Sequence, residues 1–286
     1  MNSFKKIFSA LCVIFFILTG IAYGDKVCSD GENRLNWQSL LEQSFLKTFS
    51  SSREFARSQV FQCLGYDLAE VSQIKKVTPF PKSVSVTFEG MKETETFIAS
   101  ETRRIVAFEK LAIRCKKVQY FGMTMEELVF TFPDCFLEKD YLIKGKIRFA
   151  RVSYIDLKVK VSEENLLSVM KLYSKSSALS SVKIYLYKDK VKCSGKVKMG
   201  FIVADFVLKG YTRLASPKKV NLICEKLYLN RIAQPRAFIR PIMDYVNPVF
   251  DSTKVWINLN ILKMDLKNGF VETAGIIGAK EKNNAN

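Results

Sequence analysis

From Ser83 onward the chain alternates apolar and polar residues with a period of two, in "SVSVTFEG", "KLAIRCKKV", "ELVFTF", "KIRF" and "YIDLKVKV". That period sends successive side chains to opposite faces, so each run reads as a strand with one buried and one wet side. The clearest case sets Ile155, Leu157, Val159 and Val161 on one face, with Asp156, Lys158 and Lys160 on the other. The outer face of such a sheet is basic. Just upstream, Ile147 and Phe149 give way to Arg151 and Ser153 while Val152 and Tyr154 take the opposite phase. A one-residue slip turns every later side chain over, so a bulge or sharp bend is expected there.

Two stretches break the alternation with helical spacing. In "SEENLLSVMKLY", Ser162 can cap a helix, Glu163 and Glu164 suit its positive first turn, and Leu166, Val169, Met170 and Tyr173 form an apolar stripe. In "RIAQPRAFIRPIMDYVNP", Pro235 suits a first turn, Ile239, Ile242, Met243 and Val246 form the stripe, and Pro248 stops it. Pro241 removes an intrahelical hydrogen bond, so a kink or break is expected near Phe238. Further strand runs at 181–188, 190–199, 200–214 and 218–230 lie between the two helices, and "KVWINLNILKMDL" with "NGFVETAGI" follows. The order is strands, helix, meander, helix, hairpin. Without βαβ alternation the fold class is α+β.

The ends add three segments. Residues 1–24 carry Lys5 and Lys6, an uncharged run and Ala22-Tyr23-Gly24, which reads as a signal peptide; an uncleaved anchor is the alternative. Residues 25–82 form a helical segment, with Trp37, Leu40, Leu41, Phe45 and Phe49 before "SSS" and Phe55, Val60 and Phe61 after it. The strand domain spans 83–278, and 279–286 is a solvated tail. Cleavage leaves six cysteines, Cys28, Cys63, Cys115, Cys135, Cys193 and Cys224, an even number that suits disulfides in an oxidising compartment. Cys28 with Cys63 is the first candidate pair; small buried apolar side chains are the alternative, which Cys193 in "VKCSGKVKM" suits.

The chain contains no histidine, which excludes Ser-His-Asp and Cys-His catalysis. Ser-x-x-Lys occurs at Ser44–Lys47 and Ser168–Lys171, without the Ser-Asp-Asn or Lys-Thr-Gly partners a lysine-activated serine needs. Glu126-Glu127 reads as a solvated turn and Glu163-Glu164 as a helix N-terminus. No GxGxxG, Walker loop or CxxC is present, so no catalytic residue, metal or cofactor is assigned. A net charge of +17 points to an anionic partner, and export turns that partner from nucleic acid to membrane or acidic glycan.

A bent sheet with two amphipathic helices gives either a closed core or an apolar groove. The groove candidates are Leu166, Met170, Tyr173, Phe238, Ile239, Ile242 and Met243, with Arg231, Arg236 and Arg240 as head-group candidates. Ordinary core and a solvated helix face are the alternatives. The "KKV" step, "YFGMTMEELVF", "LIKGK" before a long strand, the "SEENLLSVM" helix and "CEKLYLNRIAQPRAFIRPIMDYVNPVFD" run in an order that resembles the LmeA-type phospholipid-binding family of bacterial envelope proteins, over about 105–277. The resemblance implies a highly curved antiparallel sheet wrapping two amphipathic helices, akin to tubular lipid-binding folds, and bound phospholipid. The expected function is a periplasmic or envelope-associated, non-catalytic phospholipid-binding protein that holds acyl chains and docks on anionic membrane through its basic surface. An adaptor module with a closed core, binding an envelope protein or acidic glycan, is the alternative. The helical 25–82 segment and Pro241 have no counterpart in the resemblance.

Overall fold

The computed structural model describes residues 36–51, 58–66, 81–98, 101–120, 123–174, 179–199, 202–254 and 258–278. The signal segment, Cys28 and the 279–286 tail lie outside them. Two compact units divide the described chain. The N-terminal unit takes 36–120, Glu127–Leu157 and 276–278; the C-terminal unit takes 123–126 and Lys158–Gly275.

The N-terminal unit opens with helix α1 (Trp37–Phe49), capped by Asn36, whose side-chain oxygen accepts from the Ser39 N–H at 3.2 Å. Leu41, Phe45 and Phe49 recur every four residues and are buried, which fixes the inward side of the helix. A four-residue helix, α2 (Val60–Cys63), follows. Strands β1 (Ser83–Glu89) and β2 (Lys92–Ile98) both pair antiparallel with the long β3 (Glu101–Tyr120). Next come β4 (Met123–Glu138), the single turn α3 (Lys139–Leu142) and β5 (Phe149–Arg151), which pairs with β4. Strand β6 (Ile155–Ser162) then pairs with β4.

The core of this unit is aromatic. Phe49 stacks on Phe130 at 5.6 Å, and Phe132 lies 5.0 Å from Phe149, which in turn meets Phe45 at 6.2 Å. Ring pairs in this range contribute about 0.5–1.5 kcal/mol each beyond area burial. The strand edge is guarded as well: Glu42 of α1 accepts from the Val86 N–H of β1 at 3.1 Å, occupying a donor that an edge strand leaves open.

The expected slip before β6 is a break in the strand. The chain leaves β5 after Arg151, bends at Ser153 and re-enters as β6 with Ile155, Leu157, Val159 and Val161 all buried. One expectation fails: Glu126-Glu127 is not a turn but part of β4. Glu127 pairs with Arg114 at 3.3 Å, and Glu126 accepts from Asn165 at 3.1 Å.

The C-terminal unit follows with helix α4 (Glu163–Ser174) and the meander β7 (Leu179–Tyr187), β8 (Lys190–Met199), β9 (Ile202–Ser216) and β10 (Lys219–Leu229). Then come β11 (Ile232–Ala233), helix α5 (Arg236–Val246), β12 (Phe250–Asp251), β13 (Leu259–Lys267) and β14 (Phe270–Ile277). Strands β6, β14 and β13 are hydrogen-bonded in that order, and a separate six-stranded sheet runs β11–β10–β9–β8–β7 with β12 beside β10. The protein is therefore α+β, mostly antiparallel sheet with few helices, and one sheet is strongly curled into a half-barrel.

Ser162 caps α4 as expected, accepting from the Asn165 N–H at 3.4 Å. Glu163 does more than favour the helix dipole: its carboxylate accepts from the Leu186 N–H at 2.6 Å, while its own N–H donates to the Gly269 carbonyl at 2.8 Å. Gly269 has φ +79° in the two-residue turn between β13 and β14, a conformation glycine adopts without strain.

Candidate functional site

Helix α5 concentrates the residues that sequence singles out. Pro235 sits at its N-cap in an extended conformation, and its carbonyl accepts from the N–H groups of Phe238 and Ile239 at 3.0 and 3.2 Å. The helix is continuous to Val246 with Pro241 inside it, so of the kink or break expected near Phe238 the break does not occur. Pro241 and Ala237 are both solvent-exposed, so water can meet the Ala237 carbonyl that Pro241 leaves without an intrahelical donor.

The apolar stripe is closed over by the protein itself. Ile239, Met243 and Val246 are buried in one cluster with Leu208 of β9 and Leu222 and Leu227 of β10. Ile242, Val191, Cys193, Cys224 and Val249 pack around it, half-buried. The C-terminal end of α5 is pinned by Asn247, which accepts from the Leu222 N–H at 2.8 Å and donates to the Leu222 carbonyl at 3.0 Å. One side chain thus takes the place of a strand partner, and β12 continues the pairing along β10 at Val220 and Lys219. Among the groove candidates, Leu166 is buried on α4, while the side chains of Met170 and Tyr173 on the same helix lie outside the described part.

Phe238, beside the stripe rather than in it, is 44% exposed. Ile232, six residues before it on β11, is 68% exposed. Arg231, Arg236 and Arg240 are exposed in the same ten residues, and Arg240 reaches Asp244 at 4.0 Å one helical turn away. Arg231 sits in the turn between β10 and β11, where Asn230 has φ 47° and Arg231 φ 69°. Positive φ at both central residues matches the twist of a tight hairpin. Asn230 holds that turn by donating its N–H to the Asp205 carbonyl at 2.8 Å and accepting from the Asp205 N–H at 2.9 Å. The site is thus two exposed apolar side chains among three exposed guanidinium groups on a braced turn and a helix start. Such a surface suits a group with anionic and apolar parts.

The N-terminal unit holds a cavity of about 20 Å³ lined by Phe45, Phe49, Phe61, Phe130, Phe132 and Phe149 among others. That volume admits about one water-sized sphere and is bounded by rings, so no acyl chain fits it. Of the two Ser-x-x-Lys pairs the serines and Lys47 are placed, the Lys171 side chain lying outside the described part. Ser44 is fully buried whereas Lys47 is exposed, and the Ser168 hydroxyl donates to the Glu164 carbonyl at 3.0 Å.

Cys63, Cys115, Cys135, Cys193 and Cys224 are all free, and Cys28, the proposed partner of Cys63, lies outside the described residues. Cys193 packs into the α5 cluster like an apolar side chain. Burial pushes the thiols of Cys115, Cys135 and Cys193 up to about 12 and, aided by the Glu138 charge, that of Cys63 up to about 11. Thiols held protonated in this way are poor nucleophiles and poor metal ligands at neutral pH. Among the described residues there is no cluster of metal-ligating side chains, and no helix is long and apolar enough to cross a membrane.

A second basic feature lies on the meander. Lys190, Lys192, Lys196 and Lys198 alternate along β8, so they share a face by the same period that marks the strand. Comparison with known proteins gives no matching family model, no matching curated protein and no matching solved structure.

Proposed function

We propose that the chain is an exported, non-catalytic phospholipid-binding protein of the bacterial envelope, of the LmeA type, that holds acyl chains and docks on anionic membrane through its basic surface. The observation that carries this reading is the pairing of exposed Ile232 and Phe238 with Arg231, Arg236 and Arg240. Guanidinium groups bind phosphate with fork geometry, and apolar side chains beside them suit the acyl end of the same molecule. The strongly curled antiparallel sheet supports it as well, and in this reading it is the sheet that wraps α4 and α5. In this reading acyl chains exchange with the contacts that Ile239 and Met243 now make, and α5 is the element that yields.

The test is lipid analysis of the gently extracted protein together with binding to phosphatidylglycerol vesicles at low salt. Co-purified phospholipid and salt-sensitive vesicle binding are expected. A lipid-free protein that ignores the vesicles would rule the reading out. The burial of Ile239, Met243 and Val246 by the protein's own residues favours a second reading, an adaptor module with a closed core whose cations bind an envelope protein or acidic glycan. It predicts a lipid-free protein that is retained on an acidic polysaccharide.

A further inference from the structure

One face of the six-stranded sheet packs on α5, and the other carries a row of directly opposed lysines. Tyr185 of β7 pairs with Lys192 of β8, Lys192 with Lys209 of β9, and Lys209 with Lys226 of β10. Three ammonium-bearing side chains thus stand side by side on adjacent strands, about 4.8 Å apart at the backbone. Like charges directly opposite one another destabilise a sheet. Tyrosines hold two of them in place: the Lys192 ammonium lies 5.3 Å from the Tyr185 ring and the Lys209 ammonium 6.0 Å from the Tyr228 ring.

The same register brings more charge to this face. Lys183 is opposite Ser194, two residues along from Lys192, and Lys190, Lys196, Lys198 and Arg213 share the alternation of their strands. Against these eight cations stand two carboxylates. Asp205 lies opposite Lys196, and Glu225 meets Lys190 at 3.6 Å. The cations extend in two dimensions, over four strands and along the length of β8 from Lys190 to Lys198, about 27 Å at strand rise. A single linear polyanion would follow one row, whereas a plane of anions meets them all. Tyr187 and Val203, 48% and 56% exposed, stand on the same face opposite Lys190 and Lys198. Tyrosine is suited to the membrane–water boundary, and the exposed valine adds apolar surface on the same face.

We propose that the lysine face of the β7–β10 sheet is the surface that docks on anionic phospholipid headgroups, with the bilayer anions offsetting the repulsion within the Lys192–Lys209–Lys226 row. This rests on the phospholipid reading and assigns membrane docking to the sheet face, leaving the α5 arginines for a single lipid.

The experiment is co-sedimentation of the full chain with vesicles of phosphatidylcholine containing phosphatidylglycerol, and with phosphatidylcholine alone. The wild type is compared with K192Q/K209Q/K226Q, with the charge-keeping K192R/K209R/K226R and with R231Q/R236Q. Loss of three surface cations weakens binding by about a hundredfold, so the Gln variant should fall by that order, the Arg triple should hold, and salt should mimic the Gln variant. The Gln variant should also keep or raise its thermal midpoint, because repulsion is relieved; K209Q alone gives a milder form of the same comparison. If the wild type binds and the Gln variant binds equally, the sheet face is overturned while the phospholipid reading stands. If R231Q/R236Q alone abolishes binding, docking belongs to the α5 edge and the proposal is wrong. Retention on heparin through these lysines without vesicle binding would overturn the membrane as partner, and a wild type that binds neither would overturn both readings.

Discussion

Both units form ion pairs, but among the described residues only the C-terminal one sets a row of like charges directly opposite each other. In the N-terminal unit two arginines gather on one carboxylate: Glu138, nearly buried, receives Arg103 at 2.7 Å and Arg148 at 3.2 Å, and Arg148 also donates to Gln59 at 2.9 Å. Around it Arg104 meets Asp140, Lys139 meets Glu93, and Lys110 meets Glu89. The C-terminal unit has pairs too, such as Lys160 with Glu272 and Lys219 with Asp251, yet Lys192, Lys209 and Lys226 of its meander face each other, and the exposed arginines near α5 stand beside apolar groups. The difference lies in that one row, where like charges stand opposed and cost stability rather than adding to it.

Substitutions can break this contrast. The largest effect is expected at Glu138. Removing the carboxylate in Glu138→Ala takes away the counter-charge that Arg103 and Arg148 share at low exposure, a loss of about 3–5 kcal/mol. Denaturant midpoints measure it, and Glu138→Gln should lose less because it keeps an acceptor. Met243→Ala should cost the C-terminal unit about 2–4 kcal/mol through the cavity it leaves among Leu208, Leu222 and Leu227. A Met243→Ala protein of unchanged stability would mean that α5 does not seal this core. Asn247→Ala should cost about 1–3 kcal/mol, since it strands the Leu222 N–H and carbonyl together, and faster hydrogen exchange at Leu222 would show it. The smallest effect has the opposite sign: Lys209→Gln should stabilise by about 0.2–1 kcal/mol at low salt, a gain that disappears as salt is added.

Alkaline pH sharpens the comparison from another side. The thiol pKa values are raised in the folded state, so the unfolded chain releases protons first as pH rises above 9.0, and stability falls from there towards the folded values near 11 and 12. Cys63, Cys115 and Cys135 belong to the N-terminal unit and Cys193 and Cys224 to the other. Hydrogen exchange resolved by unit should therefore show the N-terminal unit losing protection more steeply between about pH 9 and 11. Equal loss would place the alkaline sensitivity elsewhere.

Local pattern made much of this legible. The stripe Leu41, Phe45, Phe49 marks α1, the alternation of 155–161 marks β6, the slip at 151–154 marks a bend, and Pro235 to Val246 marks α5. Each rests on spacing within one element. What stayed hidden depends on distant partners. Strand β2, "KETETFI", is too polar to read as a strand and exists through pairing with β3. Glu126-Glu127 looks like a turn until Arg114 and Asn165 receive it. The lysines of β8 alternate visibly, but that Lys192, Lys209 and Lys226 coincide depends on register across three strands, including the bulge between Cys224 and Lys226. Likewise, sequence marks Ile239 and Met243 as apolar without revealing that Leu208, Leu222 and Leu227 cover them.

The central claim is that the C-terminal unit meets phospholipid, and native mass spectrometry of the gently extracted protein tests it most directly. The account predicts a population heavier than the polypeptide by the mass of a phospholipid, lost in R231Q/R236Q and kept in K192Q/K209Q/K226Q. A single species at the bare polypeptide mass, unchanged when phosphatidylglycerol is supplied, would contradict it.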